Sequence, residues 1–170
     1  MISVPPASSR QHRDGRLEGG GTIVEGYAAL FGVEDHMRDI VRAGAFAASL
    51  ARRGEPLPML IEHEPRLLAG YWTETREDGR GLWLRGEIRD DLPGAARARR
   101  MLARGVDGLS IGFVPIVQHR DGEVRTLSEI DLLEVSIVTH PMQPLARLRQ
   151  SPVGNRQSAP TAYSGLPTAA

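Results

Sequence analysis

The stretch Val106–Pro115, VDGLSIGFVP, decides how this chain is read. Leu109, Ile111 and Phe113 alternate with Ser110 and Gly112, the period of a strand with one apolar face. A hydroxyl in the middle of such a strand has two readings: a packed strand serine, or a nucleophile. Gly108 and Gly112 permit close backbone approach, which suits an oxyanion site and suits tight strand packing equally well.

Working outward, strands dominate. GTIVEGYAALFG (residues 21–32) reads as a strand or a bent pair broken at Gly26, and LPMLIEH (57–63) as a short buried strand ending at His63. LLAGYWTETREDGRGLWLRGEIRD (67–90) is the clearest hairpin, two β-rich arms around a Gly-containing turn. Its Trp72 and Trp83 are expected to form a cross-strand core pair. Two helices interrupt the strands. VRAGAFAASLARRG (41–54) has Phe46 and Leu50 spaced i, i+4 and Gly54 at its end. DDLPGAARARRMLARG (90–105) offers an Asp cap, Pro93 in the first turn and Gly105 as a stop. Its basic RARRMLAR run reads as a solvated face, with contact to a protein partner as the functional alternative. The expected class is mainly β with flanking helices, an α+β arrangement built on a barrel or closed sheet.

Both ends look different from this middle. Residues 1–20 mix Pro, Ser, Arg and Gly, and residues 151–170 are rich in Pro, Ser and Ala without apolar periodicity. Such segments bury too little to offset the entropy of ordering. The expected organisation is a flexible segment 1–20, one folded domain 21–150 and a disordered tail 151–170.

Composition narrows the function. Of 170 residues, 41% are hydrophobic and 25% charged, a globular balance. Basic and acidic residues number 21 each, and zero net charge argues against a nucleic-acid or anionic-membrane partner. There is no cysteine, which removes disulfides, thiol nucleophiles and Cys-based zinc sites. No run reaches the roughly 18 apolar residues of a membrane-spanning helix, and no secretory signal is visible, so a soluble cytoplasmic protein is expected.

Polar residues at apolar strand positions carry the chemistry. In IDLLEVSIVT (130–139), Ile130, Leu132, Ser136 and Val138 are assigned to one face and Leu133, Val135 and Ile137 to the other, a strand buried on both sides. Glu134 lies in its middle and needs a partner, because an unpaired buried carboxylate costs several kcal/mol. A salt bridge to an arginine would serve. His63, at the mouth of its strand, is either a capping histidine or a general base. Taken together, Ser110, His63 and Glu134 form the set that acyl transfer requires: hydroxyl to attack, imidazole to take its proton, carboxylate to hold the imidazole. A metal site drawn from His36, His63, His119 or His140 with Asp35 or Asp39 lacks the helical His pair of catalytic zinc. His140 reads as a strand end, and His12 and His119 as loop residues.

At these residues the chain resembles the prohead maturation serine proteases of tailed bacteriophages. The matching pieces are GYAALFG, DIVRAGAFAASL, PMLIEHEP, AGYW, EDGRGLWLRGEI, GLSIGF and LLEVSIVTHPMQPLA, in the family's order across about 24–148. The family is distantly similar to the herpesvirus assembly protease, which implies a β-barrel surrounded by helices. The resemblance implies Ser110 as nucleophile, His63 as general base and Glu134 as third member, where the herpesvirus enzymes carry a second histidine; Asp131 is the backup. Arg147 and Arg149 correspond loosely to arginines that hold an oxyanion-site water in those enzymes and stay outside the catalytic set. Further implications are no cofactor and no metal, a capsid-protein precursor or scaffold as substrate, action inside the procapsid in the host cytoplasm, and a homodimer as an assembly that switches the site on. Self-cleavage of the tail 151–170 belongs to the same set of expectations. A non-catalytic capsid-assembly component is the alternative.

Overall fold

A computed structural model of the protein describes residues 21–149; the expectations for residues 1–20 and for the tail lie outside the described residues. In chain order the elements are β1 (Thr22–Leu30), β2 (Asp39–Val41), α1 (Ala47–Arg52), β3 (Leu57–Ile61), β4 (Gly70–Glu77), β5 (Gly81–Ile88), α2 (Ala95–Ala103), β6 (Gly108–Asp121), β7 (Val124–Val138) and β8 (Arg147–Arg149). The sheet order is β7-β3-β4-β5-β1-β8-β6, and β6 pairs again with β7. Seven strands thus close into a barrel, which removes the exposed edges of an open sheet. β2 lies outside the ring, parallel to the start of β7. The expected class, a mainly β barrel with flanking helices, is the observed one.

The strand period fills the barrel. On β5, Leu82, Leu84 and Ile88 point inward and are fully buried, while Trp83, Arg85 and Glu87 turn outward. They meet Met59, Ile61, Leu109, Ile130, Leu132, Val135 and Ile137 in one core. Burying each such side chain contributes about 1.5–3 kcal/mol. The hairpin 70–88 forms as expected, but its tryptophans do not pair. Trp72 lies opposite Gly86, which leaves room for the buried indole, and Trp83 lies opposite Arg76, whose guanidinium stacks 3.8 Å from the ring centroid. The register near the turn places Trp83 four positions from Trp72 along β4, and a bulge between Trp72 and Glu74 brings Trp72 opposite Gly86.

Other local expectations also yield to tertiary contacts. β1 runs unbroken through Gly26, and its irregularity falls between Tyr27 and Ala29. Gly26 is instead where β8 crosses: a Cβ there would meet the Arg147 carbonyl oxygen at 2.3 Å. α2 begins at Ala95 with Gly94 as its N-cap, so Pro93 and the acidic pair precede it without capping; Gly105 does close it, at φ 82°. α1 ends at Arg53 in an extended conformation, without a glycine stop.

The largest correction concerns β7. β2 pairs with residues 125–127 and β3 with residues 135–137, leaving the edge between them without a strand. The chain around α1 fills that gap. The Ala45 carbonyl accepts from Ile130 N–H, Ser49 Oγ accepts from Leu132 N–H at 2.9 Å, and the Arg53 guanidinium donates to the Leu132 carbonyl. Opposite this point the register slips: Phe113 pairs with Leu132 but Gly112 with Glu134, so Leu133 is an extra residue and stands half exposed. A bulge inverts the inside–outside alternation beyond it. Ile130 and Leu132 face the core before it, and Val135 and Ile137 after it. Ser136 therefore does not share a face with Ile130 and Leu132; it accompanies Glu134 on the other side.

Candidate active site

His63 is held by the backbone more than by its own strand. β3 ends at Ile61, and Glu62 and His63 both take left-handed conformations, φ 52° and 58°. Such conformations cost side-chain-bearing residues about 1 kcal/mol or more each and persist only under tertiary constraint. Here the constraint comes from the end of β7. Glu62 N–H donates to the Ile137 carbonyl, Glu62 Oε1 accepts from Thr139 N–H and Oγ–H, and His63 N–H donates to Ser136 Oγ at 3.1 Å.

The turn brings the imidazole to the carboxylate. His63 Nδ1 lies 2.6 Å from Glu134 Oε1. Facing a carboxylate, Nδ1 carries the hydrogen, so Nε2 is the acceptor nitrogen of the neutral ring. The hydrogen bond that His63 donates to Glu134 holds its pKa above the ordinary value, against a smaller opposing effect of burial. The Glu134 side chain is only 12% exposed, and its second oxygen accepts from Ser136 Oγ at 2.6 Å. Gly112 faces it from β6: a Cβ there would stand 2.2 Å from Oε1.

Ser110 sits on the adjacent strand, directly opposite Ser136, and is 7% exposed. Leu109 N–H points away from β7, to the Ala146 carbonyl. Alternation then makes Ser110 and Ser136 a hydrogen-bonded pair, with Cα atoms about 5.5 Å apart. Ser136, whose Oγ accepts the His63 N–H, is thus the cross-strand neighbour of Ser110. Among the described residues no hydrogen bond joins Ser110 to His63; such contacts are often long before substrate binds. Beside Ser110 opens a cavity of about 190 Å³, walled by Ile111, Phe113, Met37 and Met142, with Asp35 at its side.

The remaining candidates lie elsewhere. Asp131 bonds Ser49 and faces Arg52, away from the imidazole. Asp39 is buried in an ion pair with Arg125, and Asp35 accepts the N–H groups of Met37 and Asp39, its pKa raised by burial. His119 pairs with Thr126 in the outer part of the β6–β7 hairpin. Among the described residues no group of three or more His, Cys, Asp or Glu converges on a metal position. Arg147 binds Asp107 at 2.7 Å, and Arg149 stands opposite Glu25 in the β1–β8 strand register.

Sequence reasoning missed two residues. Ser136 was legible only as a second serine in EVSIV. Gln143 sits in the loop before β8 with its side chain buried; its amide accepts from Leu30 N–H at 2.6 Å and donates to the Leu30 and Val33 carbonyls. It spans the gap where β1 has run past β8, and no local pattern announces it.

Comparison with known proteins adds to this geometry. A sequence model of a family described as caudovirus prohead serine protease matches residues 9–159. The chain is 37% identical over 93 residues to the prohead protease of Enterobacteria phage HK97, covering 54% of this chain and 41% of that protein, so it spans less than half the length of this curated relative. In fold it is similar to the capsid assembly protease of bacteriophage T4, with a TM-score of 0.58 at 15% identity over 70% of this chain and 82% of that one. It is similar also to the Kaposi's sarcoma-associated herpesvirus protease solved with a hexapeptide phosphonate inhibitor, with a TM-score of 0.56 at 18% identity over 76% and 64% of the two chains.

Proposed function

The chain belongs to the caudovirus prohead serine protease family, and on that premise we propose that it is a serine endopeptidase whose catalytic residues are Ser110, His63 and Glu134. The observation that carries the reading is the 2.6 Å contact between His63 Nδ1 and Glu134 Oε1, with Ser110 on the neighbouring strand opposite Ser136. Ser110 Oγ attacks a peptide carbonyl carbon while Nε2 of His63 takes the hydroxyl proton. Glu134 fixes the ring's tautomer and stabilises the imidazolium. The tetrahedral intermediate collapses, the C–N bond breaks, and His63 returns the proton to the leaving amine. Water then resolves the acyl-enzyme by the same steps in reverse order. The oxyanion falls to the Ile111 N–H on the β6 edge turned away from β7, where the Leu109 N–H is already taken by the Ala146 carbonyl. Strand alternation aims Ile111 N–H to the same edge as Leu109 N–H, and one such donor contributes about 2.7–4 kcal/mol of transition-state stabilisation. No metal or organic cofactor takes part in these steps.

The substrate is a capsid-protein precursor or scaffold, cleaved inside the procapsid in the host cell; family membership supports this choice. The test is co-expression with the major capsid protein precursor of the same phage or phage-like element. The wild-type chain shortens the precursor, and Ser110→Ala leaves its mass unchanged. Processing at the normal rate by Ser110→Ala overturns the reading.

A further inference from the structure

We propose that Ser136 is a positioning residue of this site, a hydroxyl that ties the third catalytic member to the backbone of the general base. The inference rests on the serine-protease reading above and goes beyond it. Ser136 is fully buried, yet both capacities of its hydroxyl are used within the site. Its proton goes to Glu134 Oε2 at 2.6 Å, and its oxygen accepts the His63 N–H at 3.1 Å.

Three consequences follow from that geometry. A carboxylate held at one oxygen swings about its last side-chain torsion; with Oε2 on Ser136 and Oε1 on Nδ1, the plane is fixed at both ends. His63, in a left-handed conformation, has its amide anchored by the same oxygen. Ser136 also lies opposite Ser110 on the neighbouring strand, so the hydroxyl that orients the carboxylate stands beside the one that attacks. Ser136 is not a second nucleophile, because its proton is already committed to Glu134. The bulge at Leu133 makes this possible: without it, Glu134 and Ser136 would face the core.

The test uses a fluorophosphonate probe and needs no natural substrate. Ser110 Oγ forms a bond to phosphorus, the P–F bond breaks, fluoride leaves, and the serine proton passes to His63. Labelling of the full chain is followed by intact mass. Ser136→Ala is expected to label about 10- to 100-fold more slowly, the scale of one lost hydrogen bond to a charged group. In a Glu134→Gln background the same substitution is expected to cost clearly less, because the part of its effect that passes through the carboxylate is already lost. The downfield Nδ1 proton of His63, read by NMR, is expected to move upfield in Ser136→Ala. A wild-type labelling rate, an unmoved Nδ1 proton, or an equal loss in both backgrounds overturns the assignment. Should Ser136→Ala fail to fold, Ser136→Cys, which fills the site with a somewhat larger group and a much weaker donor, carries the same comparisons. If the wild-type chain does not label at Ser110, the serine reading itself falls, and the role of Ser136 falls with it. Labelling at Ser110 with additive losses sinks Ser136 alone.

Discussion

His63 Nδ1 and Glu134 Oε1 lie 2.6 Å apart although 71 positions separate the two residues in the chain. That contact raises the His63 pKa, and the sign of its effect on activity follows. Nε2 accepts a proton only from the neutral ring, so activity is lost as pH falls through the folded pKa. The acid limb of the rate profile is therefore expected above pH 6.5, the ordinary value for histidine. Glu134→Gln should move that limb down and lower the rate on the order of 10³–10⁴-fold, because the amide does not hold the tautomer. Stability has the opposite sense. The charged pair's contribution is fully present below about pH 6.5 and disappears as pH rises through the raised folded value. With the imidazole 43% exposed, that contribution is small. Titration of the His63 ring protons by NMR, in the wild type and in Glu134→Gln, checks the shift; equal values would refute it.

Gly112 is expected to be intolerant of any side chain. Its φ is not positive, so alanine fits the backbone, but the added carbon would stand 2.2 Å from Glu134 Oε1. The carboxylate must move, and it is fixed at both oxygens. Gly112→Ala should keep a thermal midpoint near that of the wild type while phosphonate labelling falls at least about 100-fold, the cost of roughly 3 kcal/mol in the barrier. Unchanged labelling would show that the carboxylate has room to move without consequence.

Asp39 and Arg125 form a part-buried bidentate pair that fastens β2 to the start of β7. Removing one charge leaves the other without its partner. Asp39→Asn is expected to destabilise the fold by about 3 kcal/mol, the lower end for a broken buried pair, since Arg125 keeps some exposure. Urea unfolding measures this directly. A double substitution by apolar residues of similar volume should recover much of the loss.

Gln143→Ala should be costly for a single polar truncation. Three backbone groups, Leu30 N–H, Leu30 C=O and Val33 C=O, lose their partner at once. Each unsatisfied buried group costs about 1–3 kcal/mol, with relief wherever water enters. The expected loss of about 2–4 kcal/mol is read from the thermal midpoint. A change under about 0.5 kcal/mol, the scale of ordinary surface substitutions, would mean that the gap between β1 and β6 closes by other means.

The candidate residues were legible before the fold. Ser110 and Glu134 are polar residues between apolar neighbours, and such positions are costly unless used; His63 stands just beyond a short apolar strand. The hairpin 70–88 was legible because alternation and turn residues are local signals. The pairing of Trp72 with Gly86 was not, because a bulge is a property of two strands together. The same holds on β7, where Leu133 is as apolar as its neighbours and nothing local marks it as the extra residue.

By itself, then, the sequence determined the strand-rich class, the approximate strands and the residue types able to do acyl transfer. These follow from side-chain chemistry and from a period of two, both readable a few residues at a time. Only the tertiary structure decided which residues meet. β7 must pair with β6, β3 and β2 at once, and α1 must supply the hydrogen bonds that no strand supplies, before the bulge at Leu133 is fixed. That single extra residue inverts the faces beyond it, turning Glu134 toward His63 and Ser136 toward both. Register is a global property of a closed sheet, set by all its strands together, and no short stretch of chain contains it.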